Sequence, residues 1–88
     1  FALDEEQKFK AVVRRNKLVG RWAAELLGRD ADAYAQEVVE ADFQEAGEED
    51  VFRKLRADFD AAGVSMSDED IRQKMFAYLQ DAVAEVKQ

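Results

Sequence analysis

The sequence predicts an all-α fold, a single-domain four-helix bundle with short glycine-containing loops. Three observations lead there. Proline is absent from all 88 residues, so only the four glycines interrupt helix formation. Apolar residues recur at a spacing of about 3.6 in every segment between glycines. No stretch alternates apolar and polar residues as a half-buried strand does. Short connections favour antiparallel neighbours, and a four-helix arrangement follows.

The spacing places helices near 4–27, 30–45, 49–61 and 67–86, all within one domain spanning 1–88. In the first, the apolar stripe is Phe9, Val12, Val13, Val19, Ala23, Leu26 and Leu27, and Gly28 stands where it stops, as a C-terminal glycine should. The second carries Tyr34, Ala35, Val38 and Ala41, with Val39 and Phe43 further round, and Gly47 follows it. Glu48, Glu49 and Asp50 open the third with charge suited to a helix N-terminus. Its stripe is Val51, Phe52, Leu55, Phe59 and Ala62, and Gly63 follows. In the fourth, Ser67 reads as the N-cap with Asp70 three residues on, ahead of Ile71, Met75, Leu79, Ala82 and Val86.

Composition removes several classes of function. With neither cysteine nor histidine, the chain has no thiolate chemistry, no disulfide framework, no imidazole base and no imidazole metal ligand. A net charge of −7 argues against nucleic-acid binding, which depends on neutralising phosphates. No apolar run approaches the roughly 18 residues that a membrane span needs, so direct membrane insertion is not expected. No phosphate-binding loop or metal quartet is visible, and binding or regulation is a better class than catalysis.

The charge is unevenly spread. Residues 1–28 carry +2 and residues 29–88 carry −9. Lys10, Arg14, Lys17 and Arg21 fall at i, i+4, i+7 and i+11, one stripe of the first helix. Leu18 and Trp22 lie beside it, away from the main apolar face. Two uses are open: an intramolecular seam against the acidic helices, or a docking face for an anion or a partner. As an anion site, guanidiniums would bind phosphate and Trp22 would supply an aromatic surface. Asn16 and Gly20 interrupt the apolar face of the same helix. A buried amide there needs hydrogen-bond partners, and an interior glycine, about 1 kcal/mol worse than alanine, implies close helix approach.

Asp58, Asp60, Gly63 and Glu69 have the spacing of positions 1, 3, 6 and 12 in a calcium loop. Ala62 at position 5 offers no side-chain oxygen, and Ser65 and Met66 depart from the pattern at positions 8 and 9. A helix end followed by an N-cap explains the segment more simply.

Three strings carry a family resemblance: RRNKLVGRWAAELLG at 14–28, VVEADFQEAGEEDVFRKL at 38–55 and DEDIRQKM at 68–75. Together they resemble the zeta subunit of the alphaproteobacterial F-type ATP synthase, over the whole chain. The resemblance implies a four-helix bundle that inhibits ATP hydrolysis by the catalytic head. Its partners would be the alpha, beta and gamma subunits, its location cytoplasmic and peripheral to the inner membrane through the synthase, and ADP or ATP a possible regulatory ligand rather than a cofactor. The implied nucleotide-binding residues are Arg14, Arg15, Asn16, Lys17 and Trp22. Lys10, Arg14, Leu18 and Arg21 form the candidate partner-binding set, and Arg21 departs from the family pattern. The resemblance also implies a short N-terminal inhibitory arm, inserted into the catalytic head, ahead of the segment that begins here at Phe1, so this chain is expected to keep the bundle and to lack most of the inhibitory element. The alternatives are an unrelated helical adaptor and a degenerate calcium-loop protein.

Overall fold

The computed structural model describes residues 3–43 and 48–87. Four helices account for nearly all of them: α1 (Glu5–Leu27), α2 (Ala31–Asp42), α3 (Glu49–Ala61) and α4 (Asp68–Val86). No strand occurs among the described residues. Contacts along α1 fix an up-down-up-down course. Moving from its middle to its C-terminus, α1 meets α3 first at Glu48 and then at Phe59, so the two run parallel. It meets α2 and α4 in the reverse order: Arg21 reaches Asp32 and Asn16 reaches Asp42, while Lys74 lies by Trp22 and Glu85 by Arg14.

The ends follow the local chemistry. Asp4 accepts from the Gln7 backbone N–H, and the Gln7 side chain returns a bond to Asp4 N–H, a complete capping box. Asp30 caps α2 through Ala33 N–H, and Ser67 caps α4 through Asp70 N–H. Gly28 ends α1 at φ 69°, a left-handed conformation that favours glycine. Glu48 precedes α3 without a side-chain cap bond. The expected continuation of α2 to residue 45 and the stop at Gly47 lie outside the described residues beyond Phe43, which already takes the C-cap position.

The core is formed by Val19, Ala23, Tyr34, Val38, Val51, Leu55, Phe59, Ile71 and Met75, with Trp22 packed against it. Gly20 lets α1 and α2 approach closely, and Ala35 and Val38 fill the notch. Four residues of the sequence stripes fall elsewhere. Phe9 is 57% exposed, Phe43 60% and Leu26 43%, and Ala62 is exposed beyond the end of α3. With 23 residues, α1 is about 34 Å long, and α3, with 13, about 20 Å. The first turns of α1 therefore extend past the stretch that α3 covers, and Phe9 has no core beneath it.

Trp22 also departs from its expected place. Its ring meets Phe59 edge-on at 5.7 Å and 73°, so it packs against the core while staying partly exposed. The physical reason is that α3 lies across from α1, between α2 and α4, and Arg15 and Trp22, two turns apart on one side of α1, both point toward it.

Candidate functional site

Three arginines of α1 pair with carboxylates beyond their own helix. Arg14 donates through Nε to Glu85 on α4, at 3.2 and 3.3 Å to its two carboxylate oxygens. Arg21 pairs with Asp32 on α2 at 2.8 Å. Arg15 reaches Glu48, the residue that precedes α3, at 3.4 Å. Lys10 pairs with Glu6 of its own helix at 3.2 Å. Lys17 is exposed and has no ion pair among the described residues. Arg14, Arg15 and Arg21 thus form an intramolecular seam with the rest of the bundle, and Lys10 pairs only within α1. Exposed pairs of this type each contribute about 0–1 kcal/mol.

Arg15 and Asn16 are different. They are 2% and 1% exposed, at the lower end of the core. Arg15 Nε donates to Asn16 Oδ1 at 2.7 Å, and Asn16 Nδ2 donates to Asp42 Oδ2 at 3.1 Å. With the Arg15–Glu48 contact, a continuous polar network joins α1 to the end of α2 and the start of α3. A cavity of about 240 Å³ lies against it, lined by Val12, Arg15, Asp42, Glu48 and Leu79. Desolvating a guanidinium is expensive unless its donors are used, and the Asn16 amide oxygen and the Glu48 carboxylate accept from Arg15. The amide that the sequence marked as requiring partners has two.

A larger groove, about 490 Å³, opens between α1 and α4 at the other end of the bundle. Trp22, Leu26, Met66 and Ala77 give it an apolar lining, and Asp70, Gln73 and Lys74 supply polar groups. Lys74 Nζ lies 5.6 Å from the Trp22 ring and 6.0 Å from the Tyr78 ring, within cation–π range. It has no ion pair among the described residues. The groove is within the size range of small-ligand sites, about 300–1,000 Å³. Leu18, half-buried, lies one turn before Trp22.

The candidate nucleotide-binding residues do not converge on one opening. Arg14 and Lys17 lie on the surface, Arg15 and Asn16 are buried, and Trp22 stands about 10 Å further along the axis than Arg15. The sequence reading missed Lys74, Asp42 and Glu48. Lys74 becomes noticeable only once α4 is placed beside Trp22, and no spacing within α4 signals that.

Two carboxylates of the supposed calcium loop, Asp58 and Asp60, are already engaged. Asp58 accepts from Tyr34 Oη at 2.6 Å and from Lys54 Nζ at 3.0 Å. Asp60 accepts from Arg56, which also binds Asp68 and the Met66 carbonyl and so ties the α3–α4 connection. No cluster of three or more metal-binding side chains occurs among the described residues. Burial by itself raises the Asp58 carboxyl, but the bonds from Tyr34 and Lys54, with the charges of Lys54 and Arg29, outweigh it and hold the group below its usual value. Burial and the same Asp58 bond push the Tyr34 phenol upward. Glu49 is held low by its two bonds from Arg72, whose guanidinium also lies 3.9 Å from the Phe52 ring centroid.

Comparison with known proteins supplies what the geometry alone does not. A family model described as ATPase inhibitor subunit zeta matches residues 1–85. A structure solved by solution NMR is similar to this chain at 46% identity and a TM-score of 0.77, covering 91% of this chain and 94% of that one. No curated protein matches.

Proposed function

From the ATPase inhibitor subunit zeta family, to which this chain belongs, we propose that it binds the catalytic head of an F-type ATP synthase and stops ATP-driven rotation in the hydrolytic direction. The family is one of ATPase inhibitors, and the role of this chain is regulatory. The head contacts themselves, through alpha, beta and gamma subunits, are the proposed part. The observation that carries the reading is the family match across residues 1–85. The bundle suits the role as a rigid body: its buried cation is internally partnered, leaving charged surface for recognition. No described helix is long and apolar enough to cross a membrane. A position on the cytoplasmic side of the inner membrane follows from the proposed partner alone.

ADP or ATP is the proposed regulatory ligand, and the geometry favours the Trp22 groove for it. Trp22 and Leu26 offer an apolar wall for a base, and Lys74 offers an ammonium for phosphate. The Arg14–Lys17 stretch is less suited, because Arg14 and Arg15 already hold carboxylates.

The test is direct. Adding the purified chain to a purified F-type head should lower ATP hydrolysis in a dose-dependent way, and the two should co-elute. Unchanged hydrolysis together with separate elution overturns the reading. An ADP titration followed by amide shifts should perturb Trp22, Gln73 and Lys74; shifts confined to Arg14–Lys17 would move the ligand to that stretch.

A further inference from the structure

The first two turns of α1 stand outside the core. The earliest buried residue of that helix is Ala11. The ion pairs of this segment, Lys8 with Glu5 and Lys10 with Glu6, stay within the helix, and so does the Asp4–Gln7 capping box. Phe9 reaches beyond the helix, to the end of α2. Its ring stacks on Phe43, with centroids 6.1 Å apart and planes 16° from parallel. Both rings remain more than half exposed.

The other half of the contact is equally lightly held. Phe43 is the C-cap of α2, and no basic residue occupies the last turn of that helix. Asp42 places a carboxylate near the negative end of the helix dipole, which is unfavourable. Helix ends without core contact open readily. Here the ties are Asp42 to Asn16 at 3.1 Å and Phe43 to Phe9.

We propose that the Phe9–Phe43 stack is a clasp that holds the first two turns of α1 against the end of α2, and that its release hands Phe9 to the ATPase. The second half rests on the reading given under Proposed function. An aromatic pair of this geometry favours the closed form by about two- to tenfold. A partner that buries the Phe9 ring outweighs a bias of that size. Phe43 then competes with the ATPase for Phe9, so the two residues have opposite effects on inhibition even though they touch.

The experiment compares the wild type with Phe9→Ala, Phe43→Ala and Phe43→Tyr. Both rings are exposed, so these variants keep the core. Amide exchange at residues 6–10 should quicken by about two- to tenfold in the two alanine variants, with Val19–Ala24 unchanged and Phe43→Tyr like the wild type. On a purified F-type head, Phe43→Ala should strengthen inhibition several-fold and Phe9→Ala should weaken it. Unchanged exchange at residues 6–10 in both alanine variants overturns the clasp, as does equal weakening of inhibition by both. If the wild type neither inhibits the head nor co-elutes with it, the ATPase reading fails, and the exchange data alone decide the clasp.

Discussion

Gly20 of α1 and Ala35 of α2 meet backbone to backbone. A methyl group built on Gly20 would sit 2.7 Å from Ala35 Cα, 3.2 Å from its Cβ and 3.3 Å from Val38 Cγ2. No side-chain rotation relieves a clash with a Cα, so the two helices would have to separate.

The Gly20→Ala variant tests this joint. On an isolated helix the change would stabilise by about 1 kcal/mol. In the bundle, displacement of α2 should reverse the sign, for a net loss of roughly 1–3 kcal/mol. A urea midpoint equal to or above the wild type would show that the close approach does not constrain the fold.

Asn16→Ala should destabilise by about 1–3 kcal/mol, because it leaves Arg15 Nε and an Asp42 oxygen without their buried partner. A double-mutant cycle with Asp42→Ala should give a coupling of about 0.5–3 kcal/mol. Strict additivity would mean that the 3.1 Å contact contributes nothing.

Asp58 links stability to acid. Its carboxyl is held below the usual 3.8 in the folded chain, so its contribution is complete above that value and disappears as pH falls through the lower folded value. Asp58→Asn should therefore lower Tm at neutral pH and show a shallower fall below pH 3.8 than the wild type. Tyr34 acts in the opposite range. Its phenol is raised above 10.0, so stability is lost as pH rises beyond that point. Tyr34→Phe should remove this component of the alkaline loss, and parallel Tm curves for the two proteins above pH 10 would contradict it.

Leu55→Ala should cost roughly 2–5 kcal/mol, since Leu55 is fully buried at the centre of the core. Phe76→Ala removes a larger side chain that is 62% exposed, and should change the chemical-denaturation midpoint little, within about 0.5 kcal/mol. Comparable losses in the two variants would refute the burial pattern.

The sequence by itself determined the four helices, the acidic start of α3 and the capped start of α4, the stop at Gly28, the need of Asn16 for partners and the close approach at Gly20. Each follows from local backbone chemistry or from the period of one helix. Only the tertiary structure decided that the notch at Gly20 receives Ala35, that Asn16 finds Asp42, that Arg15 is buried, and that Arg14, Arg15 and Arg21 pair with carboxylates beyond α1. It also turned Trp22 toward Phe59 and Lys74, and left Phe9 and Phe43 outside the core. A periodic stripe says which face of a helix is apolar. Which neighbour covers that face, and how far the cover extends, depends on the relative lengths and positions of several helices at once, and no single stretch of chain contains that information.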